Sequence, residues 1–251
     1  MSQREQEVQL LNELKESEIA KAVTQGLNPN VKMKDSGVPW IGMIPEHWEE
    51  RALRSIANEW IRGNGITREQ VTKNGTPCVR YGEIYTSYNY SFNQCLSFSL
   101  EEFIQSPKYF EQGDILFAMT GEKLEEIGKS IAYTGKEKCL LGGDIMGMTH
   151  SQNPVYLSYA LSTPSAMWQK GKGKHKLKVL HTSIINLKNV RIPLPPLDEQ
   201  RAIVAHIESK CAKINSLIAD IEAEIAYFKE YKQRLIADCV TGQINVKNER
   251  N

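Results

Sequence analysis

Residues 189–208 read NVRIPLPPLDEQRAIVAHIE, and within this stretch one kind of structure ends and another begins. Pro193, Pro195 and Pro196 close a globular segment, because proline lacks the N–H that helices and sheets need. Asp198 can cap the helix that follows with its carboxylate, and no Pro or Gly recurs until Gly242. At 1.5 Å per residue, a helix from Asp198 to Thr241 makes a rod of roughly 65 Å. Val204, Cys211, Ile218 and Ile225 recur seven residues apart, and Ile207, Ile214, Ile221, Phe228 and Leu235 do the same three residues later. These are the two apolar positions of a coiled-coil seam, with Lys232 interrupting the first register and Cys239 resuming it. A narrow apolar stripe on so long a rod needs a second helix. That helix can come from this chain, from a second copy or from another protein.

Upstream, residues 3–24 also predict a helix: Val8, Leu11 and Leu14 recur at helical spacing, and Gly26 followed by Pro29 stops it. After a connector, VKMKDSGVPW, the pattern from Pro39 to Pro195 changes to short β-rich runs such as TPCVRYGEI, DILFAMTG and SIAYTG. PVYLSYALSTPSAMWQ predicts helices among them, so the expected fold class is α+β, a globular domain followed by a long coiled-coil-forming helix, with a short N-terminal helix. The expected divisions are 1–37 for the N-terminal helix and connector, 38–196 for the globular domain, and 197–251 for the spacer and dimerisation helix with its tail.

Composition narrows the classes of function. The chain has 251 residues, 41% hydrophobic and 24% charged, the proportions of an ordinary globular protein. No apolar run approaches the roughly 20 residues of a membrane span. The N-terminus MSQREQEVQL is charged where a secretory signal is apolar, so a cytoplasmic location is expected. Cys78, Cys95, Cys139, Cys211 and Cys239 form no C-x-x-C pair, and His47, His150, His175, His181 and His206 have no metal-ligand spacing, so no metal is expected. EIGKS at 126–130 resembles the end of a phosphate-binding P-loop, but Lys123 stands where that loop needs glycine. NPN at 28–30 and NPV at 153–155 both lack the Pro-Pro-aromatic signature of an adenine methyltransferase. No catalytic residue is assigned.

The net charge is only +1, but it is unevenly distributed. No acidic residue lies between Asp144 and Asp198, a span containing Lys170, Lys172, Lys174, His175, Lys176 and Lys178. Such a run suits the phosphates of double-stranded DNA, or it is a solvated lysine loop. IRGNGITREQ at 61–70 offers Arg62, Asn64, Thr67 and Arg68 beside glycines that permit close approach to phosphate; a plain surface loop explains it equally well. Arg80 and Tyr81 can project from a strand end toward a base edge or phosphate, with pairing of Arg80 to Glu83 as the alternative. Finally, EIAKAVTQGLN at 18–28 aligns with LIADCVTGQIN at 235–245, with five identities in eleven positions. Either two helix ends are alike by chance, or the chain is one unit of a cyclic or two-fold arrangement.

Three segments, taken in order, carry a family resemblance. PWIGMIPEHWE at 39–49 resembles the entry to a target recognition domain of type I restriction-modification specificity subunits. GDILFAMTGEKLEEIGKS at 113–130 is similar to a G-D-I-L segment with a following I-G-K in that family, and residues 189–208 are similar to its exit into a spacer helix. The resemblance implies a target recognition domain at 38–196 in a half-length form with one such domain. It implies partners: double-stranded DNA, methyltransferase subunits that carry S-adenosylmethionine, and a motor-nuclease subunit, with no cofactor in this chain. The uncovered seam leads separately to the expectation of a homodimer through the C-terminal helix, with a fragment that relied on a lost first half as the alternative. A self-contained nuclease or methyltransferase with degenerate motifs, and a coiled-coil protein without a DNA role, are the competing readings.

Overall fold

The computed structural model describes residues 2–121, 127–171 and 180–244. Helix α1 (Ser2–Gln25) leads to strands β1 (Met33–Asp35), β2 (Met43–Pro45) and β3 (Glu49–Ala52), then α2 (Leu53–Ile56) and β4 (Ala57–Arg62). Next come β5 (Val71–Thr72), β6 (Thr76–Val79), α3 (Tyr81–Thr86), β7 (Ser91–Phe92), β8 (Ser97–Ser99) and β9 (Tyr109–Phe110). They are followed by β10 (Ile115–Ala118), β11 (Thr120–Gly121), β12 (Ser130–Tyr133), β13 (Cys139–Leu141) and β14 (Ile145–His150). The chain closes with α4 (Pro154–Leu161), α5 (Pro164–Gly171), β15 (Leu180–His181), α6 (Ile184–Asn189), β16 (Arg191–Leu194) and α7 (Leu197–Val240). The α+β class and both terminal helices agree with the sequence.

Two five-stranded sheets, ordered β4-β14-β10-β12-β7 and β5-β8-β6-β13-β9, share one core. Leu116, Ala118, Ile131 and Ile145 from the first sheet meet Val79, Phe110, Cys139 and Leu141 from the second. In β10 the alternate residue Phe117 packs beside Trp60, ring centroids 5.8 Å apart. With both faces covered, ILFA reads as a continuous apolar run rather than an alternating one.

Entry to and exit from this unit are zipped together. β3 pairs antiparallel with β16, and Arg191 forms a two-pronged ion pair with Glu50 across them. At the start of α7, Glu199 accepts from the indole Nε1 of buried Trp48 at 2.6 Å and meets His47 Nε2 at 2.6 Å. Fully buried Gln200 accepts the Asn153 N–H at 2.9 Å and donates to Gln152 Oε1 and the Pro195 carbonyl, each at 2.8 Å. The PLPPLDEQ segment is thus a fastening, and the first turns of the rod belong to the globular unit. Consistent with that, the chain divides into units Ile19–Ala205 and Met1–Glu18 with His206–Asn251, inside both long helices rather than at the prolines.

In the helical unit the two helices run antiparallel: Lys15 reaches Asn215 at 3.2 Å, Arg4 pairs with Glu224 at 3.0 Å, and Glu5 with Lys229 at 3.7 Å. Ile207, Ile214 and Ile225 are buried, and Cys211, Ile218 and Ile221 are half-buried. Beyond Ile225, Phe228 and Leu235 are exposed.

Candidate nucleic-acid interface

Three segments distant in sequence meet at one cleft. The end of β4 and the turn between β13 and β14 are laced together: Gly63 N–H bonds the Ile145 carbonyl at 3.0 Å and Asn64 N–H the Leu141 carbonyl at 3.1 Å. A Cβ on Gly63 would stand 1.9 Å from the Gly142 carbonyl oxygen, and one on Gly142 would stand 2.4 Å from the Val79 carbonyl oxygen. Gly63 therefore serves contact between backbones, a role other than the approach to phosphate expected from sequence. Asn64 also turns inward, its side-chain nitrogen donating to the Gln105 and Ser106 carbonyls.

Past these contacts the chain opens into a cleft of about 530 Å³. Its walls are Gly65–Arg68, Arg80–Glu83 with Thr86, and the Gly143–Asp144 turn. Thr67, Arg68, Arg80 and Tyr81, chosen separately from the sequence, thus share one site. Arg62 ends β4 and is exposed, but does not line the cleft. Thr86 and Asp144 escaped the sequence reading; the only signal was the GGD turn between two apolar runs.

The Arg80 wall corrects the TPCVRYGEI strand. Only Thr76–Val79 is strand; Arg80 caps helix α3, and Glu83 three residues on accepts the Arg80 backbone N–H at 3.0 Å. This is the reciprocal half of a capping box, and it turns the chain from strand to helix at the cleft edge. Arg80 also pairs with Glu83 through its side chain, as the alternative reading held. Beneath the wall, burial and then the Glu83 carboxylate push the Cys78 thiol up to about 12. It stays protonated at neutral pH and is no nucleophile.

The lysine run divides. Lys172, Lys174, His175, Lys176 and Lys178 lie outside the described residues. Lys170 does not join a DNA-facing surface: it is fully buried, and its ammonium donates to the Gly128 carbonyl at 2.8 Å, Ser130 Oγ at 3.2 Å and the Leu161 carbonyl at 2.7 Å. Three acceptors match its three protons, and a Cβ on Gly128 (φ +70°) would stand 2.9 Å from its Cδ. Lys129 donates to the Tyr88 carbonyl at 2.7 Å. The P-loop-like IGKS thus has structural work to do. Among the described residues no cluster of His, Cys, Asp or Glu is placed to hold a metal, and no helix is long and apolar enough to cross a membrane.

An α+β unit with a polar cleft, joined to two long helices, is the class of structure these observations define. The chain belongs to the type I restriction-modification specificity family: the type I restriction modification DNA specificity domain matches residues 45–227. It is 33% identical over 210 residues to the protein assigned as the MjaX type I restriction specificity subunit of Methanocaldococcus jannaschii, covering 80% of this chain and 47% of that protein. The MjaVIII specificity subunit of the same organism is 26% identical, over 96% of this chain and 56% of its own. The EcoKI specificity subunit of Escherichia coli is 23% identical, over 82% and 45%. The chain spans about half the length of these relatives. Among solved structures, one from work on assembly and conformational transition of the type I R-M system shares the fold at TM-score 0.67 and 18% identity, over 94% of this chain and 53% of that one. The HsdS subunit from Thermoanaerobacter tengcongensis does so at TM-score 0.56 and 18% identity, over 97% and 54%.

Proposed function

We propose that the chain reads DNA sequence for a type I restriction-modification complex in the cytoplasm. Residues 38–196 form its recognition domain, and methyltransferase and motor-nuclease partners supply the chemistry, including S-adenosylmethionine. The cleft carries this reading: Thr67, Arg68, Arg80 and Tyr81 converge there in a domain of the specificity family. Arg62 and the lysines at 172–178 position the phosphate backbone, while the cleft chooses bases. Purified protein should bind duplex DNA with an affinity that falls steeply as salt rises, because displaced counterions drive the phosphate contacts. Replacing Lys172, Lys174 and Lys176 with Ala should flatten that slope by about two to three ions. Salt-independent binding, or S-adenosylmethionine turnover by the isolated chain, contradicts the reading.

The chain acts as a homodimer through α7. Phe228, Tyr231 and Leu235 stand exposed along a groove of about 370 Å³ beside Arg4 and Lys232, where the seam continues without cover. The internal repeat supports a second copy as the cover. Two recognition domains related by a two-fold axis read a bipartite inverted site. Sedimentation at micromolar concentration should give twice the chain mass, and Phe228→Asp should give the single mass; a monomeric wild type contradicts the dimer.

A further inference from the structure

The Arg80–Glu83 pair holds an arginine at the cleft edge with part of its donor set unused. The guanidinium has five N–H donors. Nε and one proton of Nη2 go to Glu83 Oε1, at 3.2 and 3.0 Å. Glu83 is fixed in turn: its Oε2 accepts the Arg80 backbone N–H at 3.0 Å, and buried Ser97 donates its hydroxyl to Oε1. The carboxylate is itself buried, so the plane of the guanidinium is set before any ligand arrives.

What remains is a fork. Both Nη1 protons and one Nη2 proton have no partner among the described residues, and the side chain is 30% exposed. Two parallel donors at this spacing match the O6 and N7 acceptors of guanine in the major groove, and also match two oxygens of a phosphate. Charge decides between them. The cleft is lined by Arg68, Arg80, Glu83 and Asp144, two cations and two anions, so it offers little attraction to a phosphate. Asp144 repels a phosphate, yet complements the N4 amino group of a cytosine, the partner of guanine.

We infer that the free edge of Arg80, aimed by Glu83, reads a single guanine in the target duplex. Arg80 is then a specificity-determining residue and Glu83 a positioning residue; the inference rests on the cleft being the DNA-reading face. The test selects duplexes from a random library with the full-length wild type and with the Arg80→Ala, Arg80→Lys and Glu83→Gln variants. The wild-type motif should contain a guanine that Arg80→Ala and Arg80→Lys no longer select, with the other motif positions kept as an internal control of folding. Glu83→Gln should weaken that one preference. Replacing this guanine by 7-deazaguanine should lower wild-type affinity about tenfold and leave Arg80→Lys unaffected. Selection of the same guanine by Arg80→Lys overturns the inference, as does a loss of affinity in Arg80→Ala spread evenly over all sequences, the mark of a phosphate contact. A wild type that enriches no motif overturns the DNA-reading function itself, and the inference with it.

Discussion

The two similar segments, which begin at residues 18 and 235, end in the same local structure and meet opposite surroundings. In the first, Thr24 donates to the Ala20 carbonyl at 2.7 Å and Gly26 follows at φ +74°; in the second, Thr241 donates to the Ala237 carbonyl at 2.8 Å and Gly242 follows at φ +76°. Ile19 and Val23 are 3% and 0% exposed, with the buried Tyr156 hydroxyl donating to the Val23 carbonyl at 3.3 Å. Ile236 and Val240 are 53% and 82% exposed. The helix stop is therefore local, written in Thr and Gly, whereas burial depends on whether a globular unit is there to receive the helix. On the homodimer reading, the second copy awaits a surface like the one that covers the first.

The comparison breaks most visibly by charge. Val23→Asp buries an unpaired carboxylate and should cost about 4 kcal/mol or more in urea denaturation. Val240→Asp should leave that curve within about 0.5 kcal/mol while weakening self-association. Equal losses in both variants would mean that the exposed copy is already covered within one chain.

Acid should then separate the globular unit from the helical pair. Burial lowers His150 from 6.5 to about 4; its Nδ1 accepts the Gln152 N–H at 3.1 Å, and its buried Nε2 has no partner among the described residues. The unfolded chain takes up this proton at higher pH than the folded one. Stability is therefore full above about pH 6.5 and falls by about 3 kcal/mol as pH drops through 4. His150→Asn should remove most of that slope. Burial likewise lowers Lys170 from 10.5 to about 7, so its contribution to stability rises with pH between those values, and Lys170→Met should flatten that limb.

Smaller effects sharpen the contrast. Gln200→Leu strands the Asn153 N–H and the Pro195 carbonyl and should cost about 2–3 kcal/mol, read as a lower denaturation midpoint. Arg4→Ala, which removes ion pairs to Glu7 and Glu224 that are about half exposed to water, should leave the denaturation midpoint almost unchanged.

Much of this contrast was legible in the sequence, because it rests on local signals. The prolines at 193–196 and the heptad spacing located α7 and its seam, although Asp198, expected as the cap, lies inside the first turn and pairs with Arg201; the described parts of the three family-like segments are fastenings and core. The site was legible only in part. Thr67, Arg68, Arg80 and Tyr81 were found as residue types, but their meeting depends on the Gly142–Gly143 turn, about sixty residues downstream of Arg80. Lys170 was misread because alternating lysines give no hint that one of them points inward. That is decided by Gly128, whose missing side chain leaves room for its stem.

The most direct test of the account is a map of methylated adenines in the host genome, with and without the gene for this chain. The account predicts methylation at an inverted bipartite sequence with an unread spacer of fixed length, lost entirely when the gene is deleted. A methylation pattern unchanged by the deletion would contradict it.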